Sequence, residues 1–99
     1  NGVPMRVTQS GELRRALVAS GFPSSKRHGD ADTSPFLRVS RSVQGLRRTG
    51  CTGLDLAYTA CGRLDAAWDW ALEPWDIAAG LLLVEEAGGR LSNWRGQPY

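Results

Sequence analysis

Apolar residues along this chain switch between two spacings, and the switches mark out strands alternating with helices. Met5 to Thr8 and Ala16 to Ser20 are short runs of strand length, the second closed by Gly21. Residues 22–34 are rich in Ser, Lys, His, Gly and Asp and predict a loop. Phe36, Leu37, Val39 and Val43 are spaced as on a short amphipathic helix over Pro35 to Val43, and Gly45 to Thr49 predicts a brief strand. Thr52 then stands as a cap with Asp55 three residues on, as in a capping box. Leu54, Ala57 and Cys61 form the apolar face of the helix it opens, and Gly62 stops it. Leu64 to Trp70 reads as a strand with Trp68 and Trp70 on one side, and Arg90 to Trp94 as a last one.

Between those two strands lies the longest regular segment, Pro74 to Ala87. Proline suits a first helical position because it has no N–H to leave unpaired and its φ is already helical. Gly88-Gly89 supplies the left-handed stop. From Ile77 onward only Gly80, Glu85 and Glu86 interrupt the apolar run, which predicts a buried rod. Asp76 falls in its first turn, where unpaired N–H groups and the positive dipole end favour an anion. The β-α-β-α-β-α-β order predicts an α/β fold, a layered α-β-α sandwich in one unit over residues 1–99, without repeats or an internal boundary.

Composition narrows the class without deciding it. At 41% hydrophobic and 22% charged residues the chain is globular in character, and no apolar run is long enough to span a membrane. Cys51 and Cys61 are too few for a disulfide framework, so free thiols in a cytoplasmic protein are expected. Residues 1–50 hold nine basic and three acidic side chains, residues 51–99 three and seven. A basic half beside an acidic half suits a site for phosphate and metal cations, and equally suits ordinary solvated faces. The arginines are scattered and no nucleic-acid module is present, so no nucleic-acid partner is expected. Asn1 opens on a turn signal and Gln97-Pro98-Tyr99 breaks off inside another, so both ends are expected to be cut edges.

Trp75-Asp76-Ile77-Ala78-Ala79-Gly80, a short apolar spacer and Glu86-Ala87-Gly88-Gly89 resemble the C-terminal signature of the inositol monophosphatase family. Further stretches agree in order. Asn1-Gly2-Val3-Pro4 with Arg6-Val7-Thr8 resembles the family's hairpin and following strand, and Gly21-Phe22-Pro23 its Gly-Phe-Pro turn. Arg47-Arg48-Thr49-Gly50 resembles its glycine turn before a helix, and Ala60 to Asp65 its Ala-x-Gly-Arg-x-Asp link. The resemblance implies the C-terminal half of a five-layer α-β-α-β-α fold and a magnesium-dependent phosphomonoesterase for inositol monophosphate or a similar polyol or sugar phosphate. It also implies a possible homodimer at full length, while the lack of a spanning apolar run predicts no membrane partner.

Site residues follow from the same resemblance. Asp76 stands where the family binds a magnesium ion, its alternative being a plain complement to the helix dipole. Gly50, Cys51 and Thr52 stand where the family contacts substrate at a helix start. Cys51 replaces the usual Ser or Thr with a weaker donor, and its alternative is a small buried filler. Asp69 stands where the inositol enzymes carry a Glu that takes a substrate hydroxyl; its alternative is a solvent-facing charge at a strand end. The run Asp69-x-x-Leu72-x-Pro74-Trp75-Asp76 also resembles the histidinol-phosphate phosphatase branch. A chain that only binds a partner or a phosphorylated ligand is the non-enzymatic alternative.

Arg47-Arg48 suits phosphate or plain solvent. His28 has no second ligand near it in sequence, and Glu85-Glu86 lies at the far end of the helix from Asp76. The family's upstream paired-Glu element and its Asp-Pro-Ile/Leu-Asp-Gly-Thr segment are absent, so no catalytic residue is assigned here. The chain is expected to be one side of a site completed by the missing N-terminal half, and to turn over no substrate alone.

Overall fold

The computed structural model describes residues 2–21 and 32–99. After a single 3-10 turn at Leu13–Arg15 the elements run β1 (Leu17–Ser20), α1 (Ser34–Ser40), β2 (Gly45–Arg47), α2 (Thr52–Ala60), β3 (Ala66–Trp68) and α3 (Pro74–Glu86). All three strands are parallel, in the order β2-β1-β3. Leu17, Val18 and Ala19 pair with Gly45, Leu46 and Arg47; Val18, Ala19 and Ser20 pair with Ala66, Ala67 and Trp68. Because β1 has a neighbour on each edge, Val18, Ala19 and Ser20 are all buried, as befits a parallel strand with no wet face. Its start is clamped twice by Asp65, whose carboxylate accepts the Leu17 N–H at 2.8 Å while its own N–H donates to the Leu17 carbonyl at 2.8 Å.

Helices α2 and α3 form the second layer. Ala60, Val84 and Ala87 are its buried centre, with Val7, Leu56, Leu83 and Leu91 packed around them. The helices approach closely at Gly80, where a Cβ would lie 2.5 Å from Leu56 Cδ1 and 2.6 Å from Leu56 Cβ. The end of α3 is a Schellman motif: Gly88 has φ +83°, the Gly88 N–H donates to Glu85 and the Gly89 N–H to Val84. No helix among the described residues is long and apolar enough to cross a membrane.

The α/β architecture matches the expectation from sequence; several local readings do not. Met5 to Thr8 is not a strand, because the Val7 N–H finds the Ala87 carbonyl at the end of α3 rather than a neighbouring strand. Arg90 to Trp94 forms only a bridge between Ser92 and Pro98, around a turn that the Asn93 carboxamide closes onto Arg95 and Gln97. The face that α2 buries is Asp55, Thr59 and Ala60 with Leu56 beside them, and Leu54 is exposed. Nor is α3 buried all round: Ile77, Gly80 and Val84 point inward while Trp75, Asp76, Ala78, Ala79 and Leu82 are exposed. Its inner stripe has a layer to pack on and its outer one has none among the described residues. Asn1, most of the loop at 22–34, Phe22-Pro23 and His28 lie outside the described residues.

Candidate functional site

In a parallel sheet, ligands bind beyond the carboxyl ends of the strands, where the connecting loops diverge. At that edge β1 delivers Gly21, β2 the turn Thr49-Gly50-Cys51, and β3 Asp69. Asp69 ties two of these exits together. One of its oxygens accepts the Trp70 N–H at 2.7 Å; the other accepts the Thr52 hydroxyl at 2.5 Å, across from the start of α2. Gly21 closes the floor, for a Cβ built there would fall on the Asp69 carboxylate. Asp69 is therefore not a charge left facing solvent at a strand end. An ionised carboxylate has roughly four acceptor positions, so these two bonds leave capacity for a hydroxyl or amine.

The start of α2 differs from the expected capping box. Cys51, not Thr52, is the N-cap, and it makes no side-chain capping bond. The Thr52 hydroxyl is taken by Asp69, and the Asp55 carboxylate by the Thr49 hydroxyl at 2.7 Å. Gly50, at φ +79°, turns the chain so that Thr49 Oγ1 accepts the Cys51 N–H at 3.1 Å. The Thr52, Gly53 and Leu54 N–H groups have no acceptor among the described residues and are the donors open to an anion. Cys51 itself is exposed, so it is not a buried filler, and its sulfur is a free thiol.

A cavity of about 370 Å³ opens beside this edge, lined by Thr52, Asp55, Trp68 and Asp69 together with Arg90 and Trp94 among others. Trp94 packs against Trp70 with ring centres 4.8 Å apart and the ring planes tilted by 37°. The Trp68 and Trp70 indole N–H groups are buried with no acceptor among the described residues.

Asp76 is not among the residues lining the cavity, although Ile77 is. It is exposed at the first turn of α3, where its Oδ2 accepts the Glu73 N–H at 3.1 Å. Gly50, Cys51, Thr52 and Asp69 thus gather at the strand ends, and Asp76 stands apart from the cavity in solvent. Among the described residues no group of three or more His, Cys, Asp or Glu side chains could hold a metal ion. Asp76 nonetheless fits the part of a single hard-oxygen ligand, since magnesium retains waters and needs only one or two protein carboxylates.

Asp55 is the residue that the sequence reading missed as part of this edge. A signal was there: a carboxylate set between Leu54 and Leu56 on an otherwise apolar stretch. Burial pushes its pKa up, the Thr49 hydrogen bond pulls it down, and the negative charge of Asp69 pushes it up again, for a net rise. A raised folded-state pKa means that the folded chain holds the proton to higher pH than the unfolded one. The contribution to stability is full below the unfolded value and is lost as pH rises through the folded one. Urea midpoints of the chain should therefore carry a downward component as pH rises from about 4, and Asp55→Asn should remove it. An identical pH profile in that variant rules the assignment out.

Comparison with known proteins agrees along the whole chain. The model for the inositol monophosphatase family matches residues 1–99. The Nus factor SuhB of Pseudomonas aeruginosa is 44% identical over 97% of this chain, which spans 36% of that protein. The inositol-1-monophosphatase of Synechocystis sp. is 36% identical over 99% of the chain, which spans 34% of it. The solved inositol monophosphatase from Anabaena (Nostoc) sp. superposes with a TM-score of 0.91 at 38% identity, matching all of this chain to 40% of its own. The chain thus spans little more than a third of the relatives it matches.

Proposed function

The chain belongs to the inositol monophosphatase family, and on that premise we propose that it forms one wall of a magnesium-dependent phosphomonoesterase. Its substrate is inositol monophosphate or a similar small polyol or sugar phosphate, and the enzyme is cytoplasmic. Residues 1–99 act as a single C-terminal unit, completed by polypeptide outside them. The observation that carries this reading is the Thr52–Asp69 bond, which sets a helix start beside a carboxylate at a strand exit. The start of α2 contacts the substrate, while Asp69 takes one of its hydroxyls. Gly50 lets the backbone approach without a side chain in the way. Cys51 contributes the turn rather than its own N–H, which Thr49 already holds. Asp76 supplies one oxygen to magnesium, whose chemistry when bound is to activate a water and steady the leaving oxygen.

Support for a completing polypeptide comes from the two indole N–H groups without an acceptor among the described residues and from Trp75, which is 79% exposed on α3. The test is a chimera joining the upstream part of the Synechocystis relative to this chain. Phosphate release from inositol 1-phosphate should be magnesium-dependent in the chimera and undetectable with the chain alone. A folded chimera inactive on every phosphomonoester offered would discard the enzymatic reading. It would favour a partner-binding role, the second reading, which the likeness to a relative named as a Nus factor keeps in play. Histidinol phosphate in the same assay separates that substrate from inositol phosphate.

A further inference from the structure

Asp69 is held from three elements at once, and only one of the holds comes from a side chain. Its Oδ1 accepts the N–H of the next residue, Trp70, at 2.7 Å, and its Oδ2 accepts the Thr52 hydroxyl at 2.5 Å. On the β1 side Gly21 leaves no slack, since a Cβ there would overlap the carboxylate. The Trp70 bond is local and by itself lets the carboxylate pivot about one oxygen. The Thr52 bond reaches across 17 residues of chain and stops that pivot. Ala71, two residues beyond Asp69, sits at φ +48°, in the left-handed region that a Cβ disfavours. Such a conformation lasts only where its surroundings fix it, so the segment leaving Asp69 is pinned as well. A threonine hydroxyl has one proton, and here it goes to Asp69. Thr52 Oγ1 is left as an acceptor only, and an ionised carboxylate is acceptor-only too. The corner of the cavity that these two side chains line therefore presents lone pairs without a side-chain donor. A ligand group matches that corner when it brings a proton, as a hydroxyl or an ammonium does; an ether, a ketone or a carboxylate sets lone pairs against lone pairs.

We infer that the Thr52 side chain is a specificity-determining positioning group: by fixing Asp69 it makes this corner select phosphomonoesters that carry a hydroxyl or ammonium group apart from the phosphate. The substrate half of this statement rests on the function proposed above; the hold on Asp69 does not. Because the hydroxyl acts through Asp69, its effect on selection disappears where Asp69 is gone.

The test has two arms. In the chimera, kcat/KM is measured for inositol 1-phosphate, for histidinol phosphate and for p-nitrophenyl phosphate, which has no donor outside its phosphate. Thr52→Val keeps the shape and removes the hydroxyl. It should lower the ratio of kcat/KM for a donor-bearing substrate to that for p-nitrophenyl phosphate by about fivefold or more, the worth of one hydrogen bond. Whichever of the first two substrates shows the drop tells a hydroxyl from an ammonium. Thr52→Ser should restore the ratio, and Thr52→Val added to Asp69→Ala should not change it further. An unchanged ratio, or independent losses in the double variant, overturns the specificity role. In the second arm, amide exchange of the chain by NMR should show Trp70 exchanging about fivefold faster in Thr52→Val and returning to its original rate in Thr52→Ser. Exchange at Ala19, in the centre of the sheet, should stay constant, which separates a loosened Asp69 from a loosened fold. Thr52 is only half-buried, so both variants can be expected to fold. Unchanged Trp70 exchange overturns the hold on Asp69. A chimera inactive on all three esters, with faster Trp70 exchange in Thr52→Val, upholds the hold and overturns the substrate half together with the enzymatic reading.

Discussion

Asp76→Asn should lower the magnesium-dependent turnover of the chimeric enzyme by at least about a hundredfold, since residues one shell further from a metal already cost 10- to 100-fold. The substitution is chosen for what it leaves intact. Asp76 accepts the Glu73 N–H at 3.1 Å, and the carboxamide oxygen of Asn can accept the same bond. What disappears is the charge. In the first turn of a helix that charge is worth about 0.3–1 kcal/mol as a complement to the dipole, so thermal stability should barely move while the magnesium concentration for half-maximal activity rises steeply. Asp76→Ala removes the acceptor as well and should cost roughly a further 1 kcal/mol in stability. If Asp76→Asn keeps full turnover at the same magnesium concentration, the carboxylate is a helix complement and nothing more.

The second large effect is structural. Gly80→Leu should destabilise the chain by about 3 kcal/mol, the upper part of the range for overpacking, visible as a lowered urea midpoint. The atoms in the way are Leu56 Cδ1 and Cβ, at 2.5 and 2.6 Å from a Cβ at position 80. A flexible side-chain tip could swing aside, but a Cβ moves only with its helix, so α2 and α3 must part. Gly is a poor helix former, and replacing it returns about 0.8–1 kcal/mol, too little to offset the clash. The strain would also reach the site, because Leu56 follows Asp55 on the helix that opens at the Gly50 turn. A midpoint equal to that of the unmutated chain would show that the two helices do not depend on this contact.

The elements that carry their own punctuation were legible in the sequence. Pro74 and Gly88 bound α3 to within a residue, and Gly21 and Gly62 mark where β1 and α2 give out. The runs at Met5 to Thr8 and Arg90 to Trp94 have strand-like composition, but a strand exists only with a partner, and pairing is not written in either run. The same limit explains α3: its apolar circumference is a property of the sequence, whereas which half is covered depends on where α2 lies. At the site, Gly50, Thr52 and Asp69 were readable as a group only through family resemblance. Their actual link is a hydrogen bond across 17 residues of chain, beyond any local capping rule. Asp55 was hidden for a related reason, since its spacing from Thr52 imitates a capping box while its partner is Thr49.

Parallel pairing around β1 has a kinetic price. Neither of its neighbours is adjacent in sequence, and β3 begins only at Ala66. At about 5–20 residues per second of synthesis, the whole of β1 waits several seconds on the ribosome before its second edge can be satisfied. Sheets closed by such distant pairings fold slowly, so during that interval one edge of Leu17-Val18-Ala19 stays unpaired. Yield in the cell should therefore track chaperone supply and growth temperature more closely than it tracks the equilibrium stability of the finished protein.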